Sequence, residues 1–190
     1  MFADWIEDIR RVGGAATVND MMRGAESYLQ SWERVNGIPF GCKSGRERFT
    51  RRGLGHLSLG ITSARLLRRG GQPRARGNRA WTWCVLRKKN RGRKIVAALT
   101  TRGRVALVGS NAFGHRGLRI RAGMRTTSTK RLRGRARRIA KGLYLRRIGR
   151  RARFVYGTRR GRVRFVAVAT RGASKNRKIL RRYLKLAGLR

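Results

Sequence analysis

The sequence predicts an α+β fold: a tandem repeat of a short helix followed by a three-stranded antiparallel meander, with an N-terminal helical hairpin and a C-terminal helix. Apolar residues follow helical spacing near both ends of the chain, whereas short alternating runs bounded by glycine fill the middle. Residues 161–166 (GRVRFV) also repeat the pattern of residues 103–108 (GRVALV), which indicates that one unit occurs twice.

The N-terminal segment is predicted to fold as two helices. One apolar stripe begins at Phe2 and ends before Gly13, and a second runs from Val18 to Val35 behind a candidate N-cap at Thr17. A stretch rich in glycine and arginine follows them and is typical of a linker. The predicted organisation is a helical hairpin at residues 1–36, a basic linker at 37–56, a first repeat at 57–117, and a second repeat with the C-terminal helix at 118–190.

In the first repeat, Thr62 is the candidate N-cap of a short helix over residues 63–69, and Pro73 prevents that helix from continuing. Strands follow it, because Trp81 and Trp83 alternate on one face and turn residues separate the apolar runs. The three predicted strands lie at residues 80–87, 94–100 and 104–108.

The second repeat is predicted to follow the same order. Leu132, Ala136 and Ile139 lie on one face of a helical stretch. A closing helix is predicted from an N-cap at Ser174 to Ala187, with Gly188 as its C-cap. Between these helices the predicted strands lie at residues 143–145, 154–156 and 161–166.

Four short motifs in the first repeat stand in a recognisable order: Leu59-Gly60-Ile61-Thr62, Leu66-Leu67, Gly71-Gln72-Pro73 and Trp81-Thr82-Trp83. This order resembles the repeat of the β-lactamase-inhibitor-protein-like family. The resemblance covers about residues 57–110 and, more loosely, 118–170. It implies a helical pair laid on an antiparallel sheet, used as a non-catalytic scaffold that binds proteins in the cell envelope. Such domains usually follow a signal peptide.

Charge is distributed very unevenly along the chain. Residues 1–47 contain all seven Asp and Glu and six of the 51 Lys and Arg, which gives them a net charge of −1 and the remainder +45. A charge of this size destabilises the compact state unless anions or a partner neutralise it. The sequence therefore predicts a cationic binding module whose partner is a polyanion: DNA, RNA or an anionic envelope polymer.

Basic side chains from residue 87 onward are the candidate binding residues, because guanidinium groups pair bidentately with phosphates. The alternative is that such runs form an ordinary solvated face, although solvated faces normally mix both signs of charge. The aromatic residues Trp81, Trp83, Tyr144, Phe154 and Tyr156 could stack on bases, but strand aromatics more often belong to a core. The candidate polyanion-binding residues are Arg87, Lys88, Lys89, Arg91, Arg93, Lys94, Lys130, Arg131, Arg133, Arg135, Arg137, Arg138, Arg146, Arg147, Arg150, Arg151, Arg159, Arg160 and Arg162.

No catalytic residue is predicted. General acid–base catalysis and Ser-His-Asp chemistry usually recruit a carboxylate, and residues 48–190 contain none. His115, between glycines in a predicted loop, could orient a phosphate or act as a base, but a loop histidine without a partner is more often structural. The sequence therefore predicts a non-enzymatic protein without a cofactor.

The two cysteines have two possible roles, as metal ligands or as a disulfide. Cys42, His56, Cys84 and His115 are candidate zinc ligands, but their separations of 14, 28 and 31 residues match no zinc-finger spacing, so no metal site is predicted. Cys42 and Cys84 are a candidate disulfide in an oxidising compartment, or two buried thiols in a reducing one.

The sequence allows two cellular compartments. No stretch approaches the ~20 apolar residues that a membrane-spanning helix needs, so no membrane span is predicted. The N-terminus carries no signal-peptide pattern, which favours a cytoplasmic protein as encoded. The alternative is an exported cell-envelope domain that binds a protein partner, as the C-terminal part of a larger secreted, hydrolase-like protein whose sequence continues upstream.

Overall fold

A computed structural model describes residues 41–86, 90–127 and 136–189, which all belong to one unit that begins at Gly41. Strands account for 45% of this structure and helices for 17%. The described part of the chain is therefore mostly β, and the prediction of an α+β tandem repeat is wrong. The predicted helical hairpin at residues 1–36 lies outside the described residues.

Fourteen strands are described, and most of the long ones join a single mixed sheet. We number them along the chain. They are β1 (Cys42–Lys43), β2 (Phe49–Thr50), β3 (Gly53–Leu54), β4 (Leu57–Ser58), β5 (Ala75–Arg76), β6 (Ala80–Val85), β7 (Lys94–Leu99), β8 (Val105–Ser110), β9 (Arg116–Gly117), β10 (Ile120–Arg121), β11 (Arg137–Ala140), β12 (Leu143–Arg147), β13 (Ala152–Arg159) and β14 (Arg162–Thr170).

The large sheet has nine strands in the order β1-β6-β7-β8-β14-β13-β12-β11, with β5 also paired to β6. Strand β1 runs parallel to β6, and the other pairs are antiparallel. The first predicted meander pairs in its predicted order, as β6-β7-β8. What the sequence pattern did not predict is that β8 pairs with β14, with Val108 opposite Val168, so that strands distant in sequence form one continuous sheet.

The helix predicted around Ile139 is wrong for the described residues. Arg137–Ala140 instead pairs with β12 as an antiparallel strand. Gly142, in the turn between them, has φ of 70° and lies so close to the Thr158 carbonyl oxygen that a Cβ would collide with it. Only glycine fits this position, and the tight turn it permits sends the chain back as a hairpin.

Two α-helices are described, α1 (Ser63–Gly70) and α2 (Arg177–Leu186). The predicted cap of α1 is confirmed, because the Thr62 side chain accepts a hydrogen bond from the Arg65 amide. The predicted cap of α2 is wrong: Asn176 caps it, accepting from the Ile179 amide at 2.9 Å. Ser174 instead ends a 3-10 turn and donates its hydroxyl hydrogen to the Thr170 carbonyl at 2.8 Å.

Each face of the large sheet is covered. On one face, Trp83, Phe154 and Val166 belong to a core that strands β2–β4 and helix α1 complete. On the other face, Leu180 and Leu184 of α2 pack over the alternate residues of the same strands. Because both faces are apolar, the central strands β7, β8 and β14 are buried almost continuously.

Two small hairpins lie beside the large sheet and have the same pairing. Strands β3 and β4 enclose a two-residue turn, and so do β9 and β10. After each hairpin a glycine amide donates to the large sheet, Gly60 to the Val105 carbonyl at 2.8 Å and Gly123 to the Val163 carbonyl at 2.7 Å. Residues 41–56, predicted as a linker, contribute strands β1, β2 and β3.

Candidate anion-binding clefts

Three clefts on this domain are lined by clusters of basic side chains. We call them the hairpin cleft, beside β9 and β10; the helix cleft, beside α2; and the loop cleft, beside the turn between β12 and β13. The basic residues of the hairpin cleft are Arg46, Arg48, Arg116, Arg119 and Arg121. Those of the helix cleft are Arg93, Lys141, Arg159, Arg160, Arg164 and Arg181. Those of the loop cleft are Arg51, Arg52, Arg69, Arg150, Arg151 and Arg171.

The clefts lie at opposite ends of the large sheet. The antiparallel order places the turn at residues 160–161 at the end where β8 finishes, and the turn at residues 148–151 at the end where β8 begins. The helix and hairpin clefts occupy the first end and the loop cleft the second. Clusters of basic side chains therefore lie at both ends of the sheet and do not form one flat face.

Like charges crowd one another near the loop cleft. The pKa of Arg153 is lowered by partial burial, and the neighbouring guanidinium groups of Arg147 and Arg171 lower it further. Two hydrogen bonds, from Arg153 to the Gly149 and Ala152 carbonyls, hold this guanidinium in place. An anion bound nearby would offset this repulsion, because it attracts all three guanidinium groups.

Glu47 is the one Asp or Glu side chain in the described ranges, and it does not neutralise the clefts. Its pKa is raised by burial and lowered by the charges of Lys43 and His56, so these two are its electrostatic partners. Its carboxylate lies against Gly55, at the turn between β3 and β4. Arg46 and Arg48 of the hairpin cleft flank Glu47 in sequence, but Glu47 does not line that cleft. The described residues therefore supply no carboxylate to the hairpin cleft.

The predicted binding residues are distributed among these clefts. Arg159 and Arg160 line the helix cleft, and Arg150 and Arg151 line the loop cleft. Arg91, Arg137, Arg138 and Arg147 are exposed outside the three clefts, whereas Lys94 and Arg146 are half-buried. Seven of the predicted residues lie outside the described ranges: Arg87, Lys88, Lys89, Lys130, Arg131, Arg133 and Arg135.

Two of the predicted binding residues also have contacts within the protein. The guanidinium of Arg93 lies 4.2 Å from the centre of the Phe113 ring and donates to the Asn111 carbonyl. Arg162 donates to the Gly123 carbonyl at 3.2 Å and thereby ties the β9–β10 hairpin to β14. Substituting either would disturb the fold as well as the surface charge.

The sequence did not single out the hairpin cleft. Arg116, Arg119 and Arg121 are separated by apolar residues and glycine, so they do not form a basic run. They come together with Arg46 and Arg48 only because β9 pairs with β10 on one side and bridges to Arg48 on the other. The one local sign of this cleft in the sequence was that Arg119 and Arg121 occupy alternate positions between Gly117 and Gly123.

The strand aromatics are core residues in the structure. Trp83 is fully buried, and its indole Nε1 donates to the Gly71 carbonyl at 3.3 Å. Phe154 and Tyr156 are also buried, and Tyr144 stacks on Tyr156 with ring centres 5.0 Å apart. The predicted alternative, that these side chains stack on bases, is therefore not supported by their burial.

His115 is buried and both ring nitrogens are engaged. Nε2 lies 2.7 Å from the Ser44 carbonyl oxygen, which can only accept, so Nε2 carries the hydrogen. Nδ1 lies 2.7 Å from the Ser110 hydroxyl, which also lies 3.1 Å from the Lys94 carbonyl oxygen. Burial lowers the pKa of His115, and its hydrogen bond to Ser44 opposes that shift. Ser110 is itself fully buried, so this pair connects the loop after β8 to the loop after β1 inside the protein.

Cys42 and Cys84 are joined in a disulfide, where β1 runs alongside β6. The bond links residues 42 positions apart in sequence and holds the loop that carries Ser44 and Arg46 against the large sheet. It therefore holds one wall of the hairpin cleft. No three His, Cys, Asp or Glu side chains of the described residues cluster as a metal site requires.

Neither α1 nor α2 is long and apolar enough to cross a bilayer, and the described ranges contain no other candidate span. No protein-family model, curated protein or solved structure matched the chain. The fold and the clefts define a class: a mostly β, strongly cationic domain with basic clefts at both ends of its sheet.

Proposed function

We propose that this protein is a non-enzymatic module that binds a polyanion, nucleic acid in the first place, through contacts to phosphates. The observation that supports this most directly is the set of three arginine-lined clefts without a carboxylate among their lining residues. Side chains of one sign, placed in concave sites, focus the electrostatic field and raise the local concentration of anions.

A solvated face accounts less well for this arrangement. Such faces interleave both signs of charge, whereas the loop cleft places six arginines around one concavity. Guanidinium groups bind phosphate oxygens bidentately, and each neutralised phosphate releases a counterion, which favours binding. Backbone recognition of this kind does not read sequence, so the proposal is for binding without sequence preference.

The test is a salt titration of binding to a labelled mixed-sequence strand, followed by fluorescence anisotropy. With some 6–10 phosphate contacts, affinity falls by about 10³–10⁵ between ~50 and ~200 mM salt. We further expect similar affinities for strands of unrelated sequence, because phosphate contacts carry no sequence information. A slope near zero, or a strong preference for one sequence over another, would overturn the proposal.

A second candidate function is an exported, cell-envelope domain that binds a protein partner. The Cys42–Cys84 disulfide favours it, because such bonds persist mainly in oxidising compartments. The test is thiol alkylation of the protein from its native source, followed by mass measurement. A Cys42–Cys84 bond in that material supports export, and two unmodified, alkylatable thiols would argue against it.

A further inference from the structure

We infer that the hairpin cleft is a defined phosphate-binding site for a single-stranded nucleic acid. This inference deepens the proposed function and rests on it. It goes further because it assigns the tightest contacts to five arginines that are not among the predicted binding residues: Arg46, Arg48, Arg116, Arg119 and Arg121.

Three of these arginines lie side by side on adjacent strands. Arg116 is paired with Arg121 across β9 and β10, and Arg48 bridges to Arg116 on the other side. Directly paired residues project from the same face, with Cβ atoms about 4.5–5.5 Å apart, and like charges in that position are destabilising. All three side chains are exposed. A phosphate that bridges these three guanidinium groups would offset their mutual repulsion.

The turn of the hairpin is strained, and it carries the next arginine. Leu118 and Arg119 have φ of 49° and 66°, a left-handed pair for which hairpins favour Asn-Gly. A residue with a Cβ costs about 1–2 kcal/mol in that conformation. Backbone strain of this kind persists at functional sites, where it places a side chain that the site requires. Here it places Arg119 on the cleft.

The second hairpin of the domain shows that this strand pairing does not need arginine. Strands β3 and β4 also enclose a two-residue turn, formed by Gly55 and His56. At the positions that correspond to Arg116 and Arg121, that hairpin has Gly53 and Ser58. The two turns differ in conformation, because His56 does not share the positive φ of Arg119, but the same pairing around two turn residues forms with small neutral side chains.

The shape of the cleft favours a single strand over a duplex. Its volume of about 800 Å³ is that of a site for a small ligand, which a separated phosphate and nucleoside can enter. Leu118 and Met124, both half-buried, offer apolar surface beside the guanidinium groups. A duplex is stiff over its persistence length of about 50 nm and keeps its bases stacked inside, so it would contact only the rim.

The test compares two variants with equal loss of charge. One is Arg116→Gln/Arg119→Gln/Arg121→Gln in the hairpin cleft. The other is Arg177→Gln/Lys178→Gln/Arg182→Gln on α2, whose three side chains are exposed and outside the clefts. The probes are a labelled oligothymidylate of about 15 nucleotides and a duplex of the same length.

We expect the cleft variant to weaken binding of the oligothymidylate at least tenfold more than the α2 variant. We also expect the log–log salt slope of the cleft variant to fall by about 2, the value for three lost contacts to a single strand. Its affinity for the duplex should fall no more than that of the α2 variant. Equal losses for the two variants, or an equal loss for single strand and duplex, would overturn the inference.

Failure of this inference and failure of the proposed function are distinguishable. Tight, salt-dependent binding by the wild-type protein with no difference between the variants removes the cleft assignment and leaves polyanion binding in place. If the cleft variant unfolds, the substitutions Arg116→Lys/Arg121→Lys keep the charge and remove the bidentate fork. They should weaken single-strand binding several-fold, and unchanged affinity in that variant would also overturn the inference.

Discussion

The Ser110 hydroxyl lies 2.7 Å from Nδ1 of His115, and both residues are fully buried. Through Nε2 the same ring donates to the Ser44 carbonyl, so the histidine connects the end of β8 to the loop after β1. Burial lowers the pKa of His115 and so favours the neutral imidazole, in which Nδ1 accepts from the Ser110 hydroxyl.

The stability contributed by His115 should therefore depend on pH. With its folded pKa below its unfolded value, the unfolded chain binds the proton first, and stability falls as pH decreases from about 6.5 through the folded pKa. At about pH 7.5, His115→Gln should lower the free energy of unfolding by about 1–3 kcal/mol, because buried hydrogen bonds are lost. That difference should narrow toward about pH 5.

Urea denaturation of both proteins over this pH range measures the difference directly. Urea is preferable to guanidinium chloride, whose ions screen the arginine repulsion. The carboxylates, Glu47 included, are the same in both proteins, so the comparison isolates the change at residue 115. A gap that stays constant across the range would contradict a neutral, hydrogen-bonded His115.

Reduction of the Cys42–Cys84 disulfide should destabilise the domain. Closing a loop of 42 residues lowers the entropy of the unfolded chain, which corresponds to about 4 kcal/mol in the chain-entropy account and to 2–4 kcal/mol in typical measurements. The double variant Cys42→Ser/Cys84→Ser should show the same loss without a reductant. Urea midpoints of the oxidised, reduced and double-variant proteins check this, and coincident midpoints would contradict it.

The sequence predicted elements best where a long pattern decides them. Trp81 and Trp83 alternate over a six-residue strand, and their common face is buried as predicted. Strands of two residues, such as β9 and β10, are too short to show a period, so the pattern did not reveal them. Around Ile139, helical spacing misled, because the pairing of β11 with β12 at the Gly142 turn overrides it.

The sequence indicated the charge of the candidate site better than its position in the fold. Missing carboxylates are visible in the sequence, and they indicated an anionic partner. The hairpin cleft, however, is assembled by pairing between segments: Arg48 and Arg116 are 68 positions apart and become neighbours through one isolated bridge. Runs of basic residues, such as residues 87–94, attract attention in a sequence, whereas isolated arginines on short paired strands do not.

Binding of a nucleic acid should leave the core tryptophans unaffected. Trp81 and Trp83 are buried, so bases cannot stack on them. In a Trp5→Phe/Trp32→Phe background, which leaves those two indoles as the only tryptophans, titration with a single strand should not quench the emission. The same samples should resist quenching by acrylamide. Strong quenching by the strand would show that the strand aromatics do form a stacking surface.

The turn at Arg119 should show a trade between stability and binding. Arg119→Gly removes the cost of a left-handed residue with a Cβ, but a glycine also raises the entropy of the unfolded chain. The net effect we expect is a rise of up to about 1 kcal/mol in the free energy of unfolding. The exposed side chain loses no core contact on substitution. Affinity for a single strand should fall at the same time, because the cleft loses one guanidinium.

A matched control for this substitution exists at the turn between β13 and β14. Arg160 has φ of 49°, is exposed, and lines the helix cleft instead of the hairpin cleft. Arg160→Gly should stabilise the fold by a similar amount, but it should weaken single-strand binding less than Arg119→Gly does. Urea denaturation and anisotropy on the same preparations separate the two effects. If Arg119→Gly were stabilised and bound the strand as tightly as the wild type, the strain at residue 119 would have no part in binding.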